Sequence, residues 1–222
     1  MKNLFIKALG GLLYIFVALS ALIFLSAWTF NYWQAWTFLV AFMISVSAIF
    51  IYLALNDPEL LARRVRNTEK MKSQKTIHFL ANLAFTAEIV VSVLDHRFAQ
   101  SSISPRIVFV GDALVVLGLL IIFLVFRENT FSAPTVEVEA GQKVVSTGPY
   151  ALVRHPMYAG GLVFMSGIPL ALGSLWELLV IVFFTPLMAW RIRDEENLLT
   201  KDLPGYAEYR NRVKYRLLPS VW

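Results

Sequence analysis

Two short polar groups, separated by a long apolar stretch, could carry chemistry in this sequence. The first contains Arg154, His155 and Pro156. Proline disfavours helix at the residue before it and suits the first position of a helix, so we predict a helix that begins at Pro156. The amide hydrogens of that first turn, together with Arg154 and His155, would bind an anion. An equally weighted alternative is that this pair only anchors the helix among lipid headgroups.

The second polar group is the run Arg191-Ile192-Arg193-Asp194-Glu195-Glu196. In a helix, Arg191 and Glu195 are four residues apart and lie on one face. Mixed charges of this kind usually form the exposed face of a helix. If the apolar stretch before the run is a hairpin, however, the run returns to the side of the membrane on which His155 lies. The two groups then belong to one site.

The elements that must position these groups are apolar helices in a membrane. The chain has 222 residues, of which 58% are hydrophobic and 16% charged, and the apolar residues come in blocks. One transmembrane helix needs roughly 20 such residues. We therefore expect an all-α, polytopic membrane bundle of about six spans, at 12–30, 35–55, 77–94 and 107–126, with a helical hairpin at 156–190 and a tail helix after it. Five spans would remain if the weak stretch 77–94 lies elsewhere.

Basic residues predict the orientation of these spans. They are concentrated in the segment 56–76 and in the tail after Trp190, whereas 31–34 carries no charge. Because positively charged loops face the cytosol, we expect both termini on the cytosolic side. We also expect two parts: an N-terminal bundle of four spans at 1–126, which includes the basic loop 56–76, and a core at 127–222, which includes the connector, the hairpin and the tail.

Other classes of site are disfavoured by composition. The chain has no cysteine, and its three histidines are far apart, so we predict no metal site. The net charge of +5 fits loops that face anionic lipid, and we predict a membrane partner and no nucleic acid. Glu88 lies within the third apolar stretch, where we favour a structural hydrogen bond over a functional role. Nothing in the sequence indicates the oligomeric state.

Several motifs together resemble a known superfamily. They are Gly148-Pro149-Tyr150, Arg154-His155-Pro156-Met157-Tyr158-Ala159-Gly160, Glu195-Glu196 and Gly205-Tyr206-Ala207-Glu208-Tyr209-Arg210. This pattern resembles the isoprenylcysteine carboxyl methyltransferase and phospholipid methyltransferase superfamily over roughly residues 127–222. Asp57-Pro58-Glu59-Leu60-Leu61 is similar to an upstream element of bacterial members, which suggests a bacterial inner membrane.

The resemblance implies a methyltransferase that uses S-adenosylmethionine. Its acceptor would be lipophilic, either an isoprenylcysteine-type carboxylate or a lipid headgroup. The residues implied to bind the cofactor are Tyr150, Arg154, His155, Tyr158, Gly160, Glu195, Glu196, Tyr206 and Tyr209. Those implied to orient the acceptor or take part in catalysis are Arg191, Arg193 and Glu195. Because adjacent helical residues point about 100° apart, one of the two glutamates can face away from the cofactor.

Two other function classes stay open. A membrane enzyme of a related fold could reduce a lipid double bond with NADPH and use a similar His-Pro-x-Tyr turn, although the double glutamate favours a methyl donor. A small transporter or non-enzymatic accessory protein would also fit six spans with Glu88 inside one of them.

Overall fold

Eight α-helices make up most of the chain that the computed structural model describes, which is residues 2–65, 72–98, 101, 103–132, 135, 138, 141–175 and 178–222. They are α1 (Lys2–Ala27), α2 (Trp33–Asn56), α3 (Pro58–Val65), α4 (Lys72–Phe98), α5 (Pro105–Glu128), α6 (Pro156–Ala171), α7 (Leu178–Asp202) and α8 (Tyr206–Arg212). A short 3-10 turn spans Gly148–Ala151. These ranges contain no β-strand, and the predicted all-α polytopic bundle is confirmed.

Six of these helices run between the two ends of the bundle. Helices α1, α2, α4 and α5 each contain an apolar stretch long enough to cross a membrane. Helix α6 is apolar but shorter, with 16 residues, and α7 returns beside it. The weak stretch 77–94 lies inside α4, whose apolar part extends over Gln74–Phe98. Four described helices are thus candidate membrane spans, and the choice between six and five spans stays a prediction.

The two ends of the bundle differ in what covers them. At one end, here called the site end, α3, the 3-10 turn and α8 cover the long helices, and Arg63 of α3 donates to the Thr130 carbonyl at 2.8 Å. At the opposite end, the Tyr32 hydroxyl donates to the Leu172 carbonyl at 2.5 Å. The Tyr32 ring also stacks on His96, with 3.6 Å between the ring centroids. This second end is closed by aromatic and backbone contacts.

Helix α3 has local signals that fix its start. The Asp57 carboxylate accepts a hydrogen bond from the Leu60 amide at 2.9 Å, and Pro58 occupies the first helical position. An aspartate before a proline is a favourable helix start, because the carboxylate satisfies an exposed amide and proline has none to satisfy. Leu60 and Leu61 are buried against the end of α2. This packing directs the following arginines toward the connector.

The hairpin follows the local rules expected of it. Helix α6 begins at Pro156, with His155 as the residue before it, as predicted. It ends at Ala171, and Gly173 then adopts φ 78°, a left-handed conformation that glycine adopts without steric cost. The Ser174 hydroxyl donates to Asp95 of α4, so the turn is held against a neighbouring helix. The turn thus lies within the predicted hairpin at 156–190.

Four glycines bring α5 and α6 into backbone contact. Gly111 and Gly118 on α5, and Gly160 and Gly167 on α6, are each seven residues apart, about two helical turns. A Cβ atom at Gly118 would lie 2.4 Å from the Phe164 amide nitrogen, and one at Gly167 would lie 2.7 Å from the Gly111 carbonyl oxygen. Small residues allow membrane helices to approach this closely. Only glycine fits at these positions.

Replacing Gly118 by alanine should destabilise the bundle. The added methyl would overlap backbone atoms of α6, so we expect a loss of about 1–3 kcal/mol in the free energy of unfolding. The control is Gly161→Ala, because a Cβ there meets nothing within 4 Å. The control should be neutral or stabilising by up to about 1 kcal/mol, since alanine favours helix over glycine. Thermal unfolding in detergent measures both, and equal midpoints would contradict the close contact.

Candidate functional site

A buried carboxylate joins three parts of the chain at the site end. Glu196 of α7 is 3% exposed. One of its oxygens accepts from Arg154 Nε at 2.7 Å and lies 3.3 Å from His155 Nε2. The other oxygen accepts from Arg216 Nε at 3.0 Å. Glu196 therefore connects α7 to the segment before α6 and to the C-terminal tail.

Backbone hydrogen bonds strengthen the same junction. The Arg154 amide donates to the Tyr215 carbonyl and the His155 amide to the Arg216 carbonyl, both at 2.9 Å. The Arg154 guanidinium also donates to the Val213 carbonyl at 2.8 Å. The tail thus runs alongside the segment before α6 and fixes the direction in which that segment enters the helix. The Arg154 guanidinium therefore donates its hydrogen bonds to groups of the protein itself.

The pKa of Glu196 reflects these partners. Burial alone would raise the pKa of this carboxyl, but hydrogen bonds from His155, Arg154 and Arg216 lower it to about 2. A carboxylate that receives several charged hydrogen bonds is strongly favoured over the neutral acid. Glu196 is consequently ionised at neutral pH.

Tyr158 is the centre of a second hydrogen-bond network. Its hydroxyl donates to Glu195 Oε2 at 2.6 Å and accepts from Arg191 Nε at 2.8 Å. Arg191 also donates to Gln74 Oε1 at 2.7 Å, and Gln74 in turn donates to Asp194 at 3.1 Å. Gln74 is fully buried at the start of α4. The network therefore ties α4, α6 and α7 together and holds Arg191 in place.

Tyr150 and Tyr209 form the opposite wall of the site. The Tyr209 hydroxyl donates to the Tyr150 carbonyl at 2.8 Å, and Asn129 donates to the Tyr150 hydroxyl at 3.0 Å. Burial raises the pKa of Tyr150 to about 12, although the hydrogen bond from Asn129 opposes this shift. Burial likewise raises the pKa of Tyr206. These phenols stay neutral and act as hydrogen-bonding aromatic walls.

The networks enclose one cavity with two chemical characters. Its charged end contains His155, Tyr158, Arg191 and Glu195, and Arg154 also lines it. Its apolar end is lined by Phe131, Val144, Leu198, Leu199, Leu203, Tyr206 and Tyr209. A ligand that carries charges at one end and a flat or apolar group at the other would match this arrangement.

The predicted site residues fall into two sets. Those that line the cavity are Tyr150, Arg154, His155, Tyr158, Arg191, Glu195, Tyr206 and Tyr209. The remaining three lie elsewhere: Arg193 is exposed, Gly160 packs against α5, and Glu196 lies in the buried cluster behind the wall. The two adjacent glutamates point in different directions, in keeping with helical geometry.

Sequence reasoning missed four residues that shape the site. Arg64 and Gln74 come from the N-terminal half, Asn129 from the end of α5, and Arg216 from the tail. The resemblance to bacterial members over Asp57-Pro58-Glu59-Leu60-Leu61 was the one signal close to Arg64. Nothing local distinguishes the other three from ordinary polar residues at helix ends.

Most of the residues that form this site lie in a part of the chain that matches a known family model. Residues 107–204 match the family model described as phospholipid methyltransferase. Over these residues, which are less than half of the chain, the sequence is similar to phospholipid methyltransferases. The matched region begins in α5 and ends just before α8, so it includes the whole hairpin and both charged networks except for Gln74 and Arg216.

Three curated proteins of related sequence carry different names. The chain is 33% identical over 91 residues to the Delta(14)-sterol reductase TM7SF2 of Mus musculus, which is 40% of this chain and 22% of the mouse protein. It is 26% identical over 110 residues to the nickel-cobalt-cadmium resistance protein NccN of Alcaligenes xylosoxydans xylosoxydans, covering 47% of this chain and 50% of that protein. It is 30% identical over 110 residues to the cobalt-zinc-cadmium resistance protein CzcN of Cupriavidus metallidurans, covering 47% and 49%.

These matches cover only part of each relative. The shared region is about a fifth of the mouse reductase and about half of each resistance protein. The comparisons therefore indicate similarity to membrane methyltransferases over residues 107–204 alone.

Replacing Glu196 by glutamine should destabilise the protein and alter its response to acid. Breaking a buried ion pair on one side costs about 3–5 kcal/mol at neutral pH. The pKa of Glu196 is lower in the folded protein than its ordinary value of 4.5. Its stabilising contribution is thus complete above about pH 4.5 and is lost as the pH falls toward about 2.

Thermal unfolding in detergent between pH 7 and pH 3 measures both effects. The wild-type midpoint should fall more steeply below pH 5 than the midpoint of Glu196→Gln. The exposed Glu208 of α8 provides a matched control, and Glu208→Gln should follow the wild type. If Glu196→Gln also follows the wild type at every pH, the cluster makes no net contribution.

Proposed function

We propose that this chain is an integral membrane methyltransferase that uses S-adenosylmethionine and acts on a lipophilic acceptor from the membrane. The observation that carries this proposal is the convergence of Tyr158, Arg191 and Glu195 at one end of a cavity whose other end is apolar and aromatic. That cavity lies largely in the region that matches the methyltransferase family.

The chemistry of the lining residues fits the proposed cofactor. S-adenosylmethionine carries an ammonium, a carboxylate, ribose hydroxyls and an adenine ring. Glu195 would bind the ammonium or the ribose hydroxyls, and His155 with the turn at Tyr150 would bind the carboxylate end. The aromatic and leucine side chains of the apolar end, such as Tyr206 and Leu198, would contact the adenine. Glu196 would support this site indirectly, by holding His155 and Arg154.

The residues of the protein would act mainly by positioning. When bound, the cofactor supplies a methyl group on a sulfonium, and such a transfer needs little covalent help. Orientation of two reactants can lower the barrier by up to about 7–11 kcal/mol. Arg191 is held by Tyr158 and Gln74 and lines the cavity, whereas Arg193 is exposed, so we assign the orienting role to Arg191. A carboxylate acceptor would need no general base, but an amine acceptor would need one.

The proposal includes an orientation in the membrane. The site end carries the basic residues of α3 and of the tail, so we place it in the cytosol together with both termini of the chain. A water-soluble donor could then enter from the cytosol, while a lipophilic acceptor enters from the inner leaflet of a bacterial inner membrane. We keep the division into an N-terminal bundle (1–126) and a methyltransferase core (127–222), with α5 as the scaffold on which the core packs.

A second candidate function is supported by one comparison. The similarity to the mouse Delta(14)-sterol reductase favours a membrane enzyme that reduces a lipid double bond with a nicotinamide cofactor. The charged end of the cavity could hold a phosphate through Arg191 as well as a carboxylate. Binding of NADPH by the purified protein, without binding of S-adenosylmethionine, would decide for this alternative.

Loss of Glu195 should weaken cofactor binding selectively. A hydrogen bond that involves a charged group is worth roughly 1.5–3 kcal/mol, so we expect the dissociation constant of S-adenosylmethionine to rise about ten- to a hundredfold in Glu195→Gln. Glu208→Gln removes a carboxylate from the same end of the molecule and lies outside the cavity, so it should bind as the wild type does. Isothermal titration calorimetry in detergent gives both constants. Equal affinity in the two variants would remove Glu195 from the proposed site.

Transfer of a labelled methyl group tests the activity itself. The protein in lipid vesicles is incubated with radiolabelled S-adenosylmethionine and a membrane lipid extract, and the labelled product is then identified. We expect label in the lipid fraction with the wild type and little with Glu195→Gln. Label that never appears in lipid, although the donor binds, would contradict a lipophilic acceptor.

A further inference from the structure

A second arginine approaches the cavity from outside the region that matches the family. Arg64 of α3 donates to Ser132 Oγ at 3.0 Å and lies 3.3 Å from Met157 Sδ. Its guanidinium also lies over the Phe126 ring, 4.4 Å from the centroid. Ser132 and Met157 both line the cavity, so Arg64 lies directly behind this part of the wall.

The charge of Arg64 is only partly compensated. Its Nε atom is buried and has no hydrogen-bond partner, and none of the ion pairs found in the described part of the chain includes it. Burial, with a smaller contribution from Arg191, lowers the pKa of Arg64 to about 10, although the nearby Tyr150 and Tyr158 oppose this shift. A guanidinium that is withdrawn from water and has an unused donor costs free energy, and a nearby negative charge would reduce that cost.

Arg64 and Arg191 bracket the first turn of α6. Arg64 contacts Met157, and Arg191 donates to the next residue, Tyr158. The first turn of a helix adds partial positive charge of its own. Among the nearby carboxylates of the described residues, Glu196 is paired with Arg154, His155 and Arg216, Asp194 accepts from Gln74, and Glu195 lines the cavity with Arg191. The local charge at this point therefore favours an anion.

We propose that Arg64 is a specificity-determining residue that, together with Arg191, selects an acceptor carrying an anionic group, either a carboxylate or a phosphate. This inference rests on the proposed function for the meaning of the acceptor. An acceptor with a cationic amine would approach two guanidiniums where water is partly excluded, and repulsion is stronger there than in bulk water. A carboxylate or phosphate would instead gain charge-assisted hydrogen bonds from Arg191, and the charge of Arg64 behind the wall would strengthen the attraction.

Binding of three single-chain probes tests the preference. Dodecanoate, dodecyl phosphate and dodecyltrimethylammonium share a tail and differ in the head, and each is titrated into the protein in nanodiscs of zwitterionic lipid. We expect the wild type to bind both anions at least about tenfold more tightly than the cation, as one charged hydrogen bond would give. Arg64→Gln should lose most of this preference. The more tightly bound of the two anions shows whether the site prefers a carboxylate or a phosphate on the acceptor.

Matched variants separate specificity from folding. Arg210→Gln removes an exposed arginine of α8 that lies outside the cavity lining, and it should keep the preference. Arg64→Lys keeps the charge but loses the planar donors, so it should retain the preference over the cation with weaker binding of both anions. Because Arg64→Lys preserves the stem and the charge, it serves as the test if Arg64→Gln does not fold by size-exclusion chromatography.

Failure of this inference can be distinguished from failure of the proposed function. S-adenosylmethionine binding is measured in the same samples. Normal binding of the donor with no anion preference in the wild type, or with the preference intact in Arg64→Gln, overturns the role of Arg64 and leaves the methyltransferase proposal standing. An Arg64-dependent anion preference without any donor binding supports the anion site and overturns its role in selecting a methyl acceptor.

Discussion

The site depends on the neutralisation of one buried carboxylate. Glu196 lies where α7, the segment before α6 and the tail meet, and an unpaired charge at this position would cost several kcal/mol. The three segments are distant in sequence, so Arg154 and Arg216 can reach Glu196 only when the hairpin is closed and the tail is docked. Assembly of the cavity wall is therefore coupled to satisfaction of this charge. Glu195, which precedes it, is left to face the cavity.

Hydrogen bonds around the cavity also extend the site beyond residues 107–204, the region that matches the family model. Residues 107–204 supply the hairpin, but Gln74 of α4 fixes Arg191, and Arg64 of α3 supports the wall at Met157. Residues 107–204 thus supply most of the cavity lining, whereas part of its electrostatic character comes from α3 and α4.

Local rules predicted much of the fold and less of the site. Proline chemistry located the start of α6, and hydropathy located the spans, because both depend on neighbouring residues alone. The distinction between Glu195 and Glu196 depends on the rotation of α7 against two other segments, which no local pattern contains. Local patterns also do not identify the neighbour of Gly160. A glycine predicts that something approaches closely, but only the packed structure shows that the neighbour is the backbone of α5 rather than a ligand.

The glycine contact between α5 and α6 also determines which parts of the site can move. Helices whose backbones touch cannot slide or separate without losing the contact along its whole length. The floor of the cavity, formed where α6 begins, is consequently static. Helix α8 and the tail are held instead by side-chain and backbone hydrogen bonds, which can break one at a time. Any widening of the cavity on their side would therefore leave the spacing between the first turn of α6 and α5 unchanged.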